Sequence, residues 1–248
     1  MAVVLKIPFD KCIVEQERRG AALAPAVIEK EYSSLFSAPK VRWFNVPVEE
    51  DFEKTTKNIE NSVLNNKTEI IVSLGGDNSV SYGLMRGFSQ IHKNACLIYF
   101  DAHFDAQDDF LPPTHEDVIR AAIKENFFKA SDILIVGVRN YTKEELEFVQ
   151  KNNIKFQYAK DFSAKHVVDF ATNYKNIYFM LDIDVIDPAF APGTGWPEPL
   201  GLYPKDVLDV VLQLKNKIKL LDLVEVSPPK DVNNITSRLA AKIVSEFV

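Results

Sequence analysis

Cysteine is scarce in this chain, with only Cys12 and Cys96 among 248 residues. Two thiols cannot build a disulfide framework at this length, so a reducing, cytoplasmic setting is expected. Cys96 lies inside the apolar run ACLIYF and reads as a small buried hydrophobe. A basic surplus is also missing. The 29 Lys and Arg stand against 35 Asp and Glu, leaving a formal charge of −6. Nucleic acid and anionic membranes select basic faces, so neither is an expected partner; cationic ligands and metal ions fit better. No apolar run is long enough to span a bilayer, and the apolar part of MAVVLKIPFDK is too short for a signal peptide. Linkers, low-complexity tracts and internal repeats are absent as well. With 46% hydrophobic residues the chain can bury one substantial core, and a single domain over residues 1–248 is expected.

What the chain does have is an alternation of strands and helices. AVVLKI, VRWFNV, EIIVSL, ACLIYF, DILIVGV, IKFQY, NIYFML and IKLLDLVEV read as about eight strands. Helical stretches lie between them, from PAVIEKEYSS near the start to NNITSRLAAKIVSEFV at the end. Several strands are continuous apolar runs rather than alternating ones. Such runs are buried on both faces, which predicts a mainly parallel sheet between two helical layers, a three-layer α/β/α fold.

Open parallel sheets place their ligand sites beyond the carboxyl ends of the strands. Four unusual segments fall there: GGDNS after EIIVSL, DAHFD after ACLIYF, DIDVIDPAFAPGTGWP after NIYFML, and Glu225 at the end of the last strand. Together they bring Asp101, Asp105, Asp182, Asp184 and Glu225 to one edge, with His103 among them. Ionised carboxylates at a partly buried edge are costly unless protonated, paired with cations or bound to metal. No lysine or arginine lies between Asp101 and His115. Oxygen donors with one imidazole suit hard or borderline divalent ions such as manganese. If the chain stays extended, Asp101, His103 and Asp105 share one side, as do Asp182 and Asp184. Two shared aspartates could then bridge two ions that activate a water.

These segments, with IPFD and RRGAALAPAVIEKEY upstream and VEVSPP downstream, resemble the ureohydrolases, the arginase and agmatinase family, and are most similar to agmatinases. The likeness covers nearly the whole chain, and its most specific part is Asp-x-Asp-x-x-Asp-Pro followed by APGTG. It implies an arginase-like fold and a two-manganese site whose metal-bound hydroxide cleaves a guanidino group to urea and an amine. By position, Asp101 and Asp182 would bridge both ions, Asp105 would bind the first, and His103 and Asp184 the second. Glu225 would pair with the guanidinium, and His115 would carry a proton to the leaving amine. The same likeness implies polyamine metabolism, a small guanidino substrate and a homo-oligomer, a trimer or hexamer.

Several positions depart from the family pattern. Asn78 stands where the motif has histidine, which removes an imidazole from the first ion and should weaken that site. Glu116 and Leu200 replace glycines, and Trp196 replaces a small hydroxyl residue, so the substrate mouth is expected to be reshaped. Asp108 and Asp109 would attract an amine tail and repel a carboxylate, favouring agmatine over arginine. Asp77 is expected to orient backbone, Asp187 to form a turn, Gly193 and Gly195 to supply backbone geometry, and Arg139 to make a structural ion pair. His92 and His166 read as solvated. Two alternatives stand beside the guanidino hydrolase: a formimino or amidine hydrolase such as formimidoylglutamase, and a metal-poor non-catalytic relative.

Overall fold

In the computed structural model, which describes residues 2–13, 15–108 and 110–248, eight strands form one sheet: β1 (Val3–Lys6), β2 (Arg42–Asn45), β3 (Ile71–Leu74), β4 (Ala95–Phe100), β5 (Ile133–Val138), β6 (Lys155–Tyr158), β7 (Asn176–Asp182) and β8 (Ile218–Val224). Their order is β2-β1-β3-β8-β7-β4-β5-β6, and every neighbouring pair is parallel. The apolar runs mark the centre. β3 and β5 are buried at every position, whereas β2, an edge strand, is mostly exposed. Edge strands as short as this limit unwanted strand pairing.

Strand periodicity divides the core into two halves. Cys96, Ile98 and Phe100 join one apolar cluster, while Leu97 and Tyr99 join the other. The first half is covered by α1 (Ala24–Ser33), α6 (Ala164–Ala171), α7 (Pro204–Leu214) and α8 (Ile235–Phe247). The second is covered by α2 (Phe52–Asn65), α3 (Val80–Ile91), α4 (Val118–Lys124) and α5 (Lys143–Lys151). Local signals start several of these helices. Pro204 opens α7; the Asp51 carboxylate accepts from Lys54 N at the head of α2; Thr142 and Glu145 form a reciprocal capping box on α5. The sequence reading contains every helix except α4.

This layering positions the site. β3 and β8 are neighbours, yet α3 and α8 leave them for opposite faces; the same is true of β4 and β7 with α4 and α7. Loops that diverge in this way open a crevice at the carboxyl ends of the central strands. No described helix is long and apolar enough to cross a membrane.

Candidate metal centre and hydrolytic site

The loops at this crevice are tied to one another through backbone groups. Gly75 N donates to Leu223 O at 2.8 Å, and Glu225 N donates to Gly76 O at 2.9 Å. Gly76 allows this approach because a Cβ there would lie 1.7 Å from Phe9 O. Asp77 anchors the same turn, accepting from Cys12 N at 3.0 Å and Ser79 N at 3.0 Å, so it orients backbone as the sequence suggested. Two site residues, Asp105 and Glu225, hold positive φ angles of 48° and 63°. Left-handed backbone costs about 1–2 kcal/mol for a residue with a Cβ, and such outliers concentrate at functional sites.

The structure brings Asp101, His103, Asp105, Asp182, Asp184, His115 and Glu225 to this one crevice. One oxygen of Asp184 accepts from Ala102 N at 3.0 Å, and one oxygen of Asp182 accepts from Asp184 N at 2.9 Å. Asp101 sits at the end of β4 and accepts from His103 N. These amides fix the carboxylates and leave further lone pairs for a ligand. His103 Nδ1 lies 3.2 Å from Asp101 Oδ1 and 3.1 Å from Asp184 Oδ2. Donors about 2.1 Å from an octahedral ion lie roughly 3.0 Å apart when adjacent, so this spacing suits one divalent cation. The donor atoms of Asp101, His103 and Asp105 lie within 4.8 Å of one another, and so do those of Asp101, Asp182 and Asp184. Behind His103, Glu198 Oε1 stands 3.6 Å from Nε2, in the place of an orienting carboxylate.

Position 78 fits an ion poorly. Asn78 Nδ2 donates to Tyr99 Oη at 2.6 Å and also to Asp105 Oδ2. Its Oδ1 is turned away and accepts from Ser81 Oγ at 3.0 Å. The site therefore meets an N–H donor where the family pattern has a metal-binding nitrogen.

Electrostatics give the same picture. Burial pushes the Asp101 carboxyl up to about 6, with the Asp184 charge adding to it. Burial also holds Asp105, Asp182 and Glu225 well above the ordinary carboxyl range; Asp101 repels Asp105, Asp184 repels Asp182, and Asp77 repels Glu225. Burial alone would lower the pKa of His103, but Asp184 and Asp101 overcome it and raise it well above normal. The cluster lacks positive charge in proportion to its acids.

Two polar atoms of the site are buried and unpartnered: Glu225 Oε2 and His115 Nε2. Glu225 Oε1 is held by Asn78 N at 2.8 Å. His115 Nδ1 faces the Cys12 carbonyl at 3.0 Å, so Nδ1 carries the hydrogen and Nε2 keeps its lone pair when the ring is neutral. Burial lowers the pKa of His115 and favours that neutral form. Both residues line a cavity of about 80 Å³, together with the carboxylates of Asp105, Glu116, Glu145, Asp182 and Asp184, and its described lining contains no lysine or arginine.

Other sequence readings fare variously. Asp187 forms its turn, accepting from Ala189 N at 2.9 Å and Gly201 N at 3.0 Å. Gly193 abuts Asp231, and Gly195 lies beside Glu225. Arg139 is structural, but through carbonyls rather than the expected ion pair: its guanidinium donates to Gly137, Asp184, Val185, Glu198 and Pro199 and clamps the loops behind Asp184. His166 is exposed, whereas His92 is half-buried against Phe88 rather than solvated. Asp108 is exposed, and Asp109 lies outside the described residues. Trp196 lines the cavity. Its ring stands 5.0 Å from that of His115, and the Arg18 guanidinium covers it at 4.7 Å. Sequence reasoning missed Tyr99, Arg18 and Glu145. Glu145 accepts from Ala106 N at 3.2 Å and so ties the DAHFD loop to α5.

Comparison with known proteins agrees with the geometry. The model of the Arginase family matches residues 1–248. The agmatinase of Halalkalibacterium halodurans is 32% identical over 71% of this chain and 62% of its own length. The mitochondrial guanidino acid hydrolase of Homo sapiens is 30% identical over 72% of this chain and 54% of its own. The matched region thus spans between half and two thirds of both relatives. Among solved structures, the agmatine ureohydrolase of Thermoplasma volcanium superposes with a TM-score of 0.90 at 30% identity, covering 99% of this chain and 88% of that one.

Proposed function

Because the chain belongs to the arginase family, we propose that it is a metal-dependent hydrolase that cleaves the guanidino group of a small cationic substrate, agmatine first, to urea and an amine. The observation that carries this reading is the cavity lining: six carboxylates converge, without lysine or arginine among the described residues. A cationic substrate and a cationic metal both lower the energy of such a site.

Asp101, His103, Asp182 and Asp184 would hold the metal, with manganese as our assignment. When bound, a divalent metal supplies the Lewis acidity that makes water a competent nucleophile at neutral pH. The chain's own groups do the rest. Glu225 Oε2, buried and unpartnered, accepts from the planar guanidinium. The approaching cation offsets the desolvation that raises the Glu225 pKa, so binding favours its ionised form. Asn78 N holds the other Glu225 oxygen and fixes the angle of the carboxylate. His115, neutral through burial, takes a proton at Nε2 and returns it to the departing amine. The small cavity admits the guanidino head, while the tail leaves past Trp196. A cytoplasmic location and a trimer or hexamer belong to the same reading.

One observation favours a second substrate class. Arg18, stacked on Trp196, offers a cation at the mouth that would pair with a carboxylate tail, as in a guanidino acid. A substrate panel separates the two. Urea released from agmatine in the presence of manganese supports the first reading, and faster release from guanidino acids supports the second. Formamide or ammonia in place of urea would point instead to a formimino substrate. No turnover of any of these at any metal load would refute the proposal.

A further inference from the structure

The two ion positions implied by the family likeness are not equally available in this chain. Around His103 the Nδ1–carboxylate contacts are 3.1 and 3.2 Å, a spacing shared by hydrogen bonds and by neighbouring ligands on one ion. Around residue 78 the contacts have the length of hydrogen bonds. Tyr99 Oη accepts from Asn78 Nδ2 at 2.6 Å and lies against both Asp105 Oδ2, at 2.6 Å, and Asp101 Oδ2, its one hydrogen serving one of these two carboxylates at a time. The hydroxyl thus stands among three of the four side chains that would converge on the first ion. Asn78 completes the closure from the other side. Its amide hydrogens point at Tyr99 and Asp105, and Ser81 holds its oxygen away from the site. Reversing the amide would set its oxygen against the Asp105 carboxylate, a repulsive contact, so the hydrogen-bond pattern favours the orientation described.

The local fold maintains this closure. Tyr99 is fully buried within β4, two residues before Asp101, so strand periodicity directs both side chains to one side. Tyr178 packs edge-on against Phe88, in the same half of the core. Ser81 Oγ also lies 2.7 Å from Asp222 Oδ2, linking α3 to β8 beneath the site, and its one hydrogen serves Asn78 Oδ1 or Asp222 Oδ2 at a time. The Asn78 amide, the Tyr99 hydroxyl and Asp105 Oδ2 are thus paired with one another, and polar atoms that are already paired have less need of an ion.

We propose that this chain is a one-metal member of its family, in which the Tyr99 hydroxyl and the Asn78 amide occupy the first ion's position and a single ion binds between Asp101, His103, Asp182 and Asp184. This inference rests on the functional reading above and narrows it to one ion. Asp105 then serves as the acceptor that closes the hydrogen-bonded side rather than as a ligand.

Metal-stripped protein titrated with manganese, with bound metal counted by elemental analysis and the spin state read by electron paramagnetic resonance, tests this. The expected result is one ion per chain, with the hyperfine pattern of an isolated Mn(II). The double substitution Tyr99→Phe with Asn78→His removes the plugging hydroxyl and supplies an imidazole; it is expected to bind a second ion and to display the broadened spectrum of a coupled pair. Thermal melts of both proteins report whether the variant folds. Two ions with a coupled spectrum in the unsubstituted protein would overturn the one-metal inference and leave the hydrolase reading standing. No bound manganese in folded protein would overturn both. If the variant does not fold, the count and spectrum of the unsubstituted protein still decide the matter.

Discussion

The two sides of the crevice contain similar residues in different states. On the His103 and Asp184 side, backbone amides fix the carboxylates and the imidazole stands 3.1 Å from Asp184, a donor set that an ion can enter by displacing one ring proton. On the Asn78 and Asp105 side, a phenol and an amide lie against one oxygen of Asp105, and position 78 supplies no ring nitrogen to replace them as a ligand. A list of acids does not distinguish the two sides; the partners of each oxygen do. Negative charge calls for a cation only where no hydrogen-bond donor already answers it.

The strongest way to break this comparison is to substitute one carboxylate on each side. Asp184→Ala should lower kcat/KM by more than about 10³-fold, equivalent to about 4 kcal/mol, and should abolish manganese binding in a calorimetric titration. Asp105→Asn should cost less than about tenfold, the scale of one hydrogen bond. Equal losses would erase the distinction between the sides. His115→Ala should lower kcat by about 10²-fold or more while metal affinity stays unchanged, which a pH-rate profile with a metal titration would separate.

A smaller effect concerns the metal-free protein. Asp101 is raised to about 6, and Asp105, Asp182 and Glu225 are also raised, by burial and mutual repulsion. Over that range the folded state binds more protons than the unfolded state, so the slope of unfolding free energy with pH is negative. The raised pKa of His103 acts in the same direction above its ordinary value. The stripped protein should therefore melt at lower temperature at pH 8 than at pH 5, and manganese should restore the loss at pH 8 with little effect at pH 5. Calorimetric melts with and without chelator measure both. A melting temperature that rises with pH in the stripped protein would contradict the account.

The smallest effect lies outside the crevice. Leu200 is 86% exposed and holds φ at 63°. Leu200→Gly should stabilise the fold by about 1 kcal/mol in urea unfolding without changing metal binding.

Much of this organisation was legible in the residues. The central strands are buried on both faces, so their sequences are nearly continuous apolar runs and their ends are easy to find. The acids then fall at those ends, and parallel topology gathers them. The helix α4 was missed because its seven residues, VIRAAIK, follow a long loop and offer too few turns for periodicity. Tyr99 was missed for a different reason: within ACLIYF it reads as one more core aromatic. A signal was nevertheless present, since Tyr99 and Asp101 are two residues apart and strand periodicity puts them on one side. The departure at Asn78 was visible, but its consequence was not, because an amide can present either its oxygen or its nitrogen and only the neighbours decide. The stacking of Arg18 on Trp196 joins segments from distant parts of the chain and leaves no local trace. The positive φ of Asp105 and Glu225 is likewise set by the surrounding loops rather than by residue type.

Crystals of the protein soaked in manganese and measured with X-rays at its absorption edge would test the central claim most directly. The account predicts one anomalous peak, bounded by Asp101, His103, Asp182 and Asp184, with the Tyr99 hydroxyl still between Asn78 and Asp105. A second peak beside Asn78, or no peak at this crevice, would contradict it.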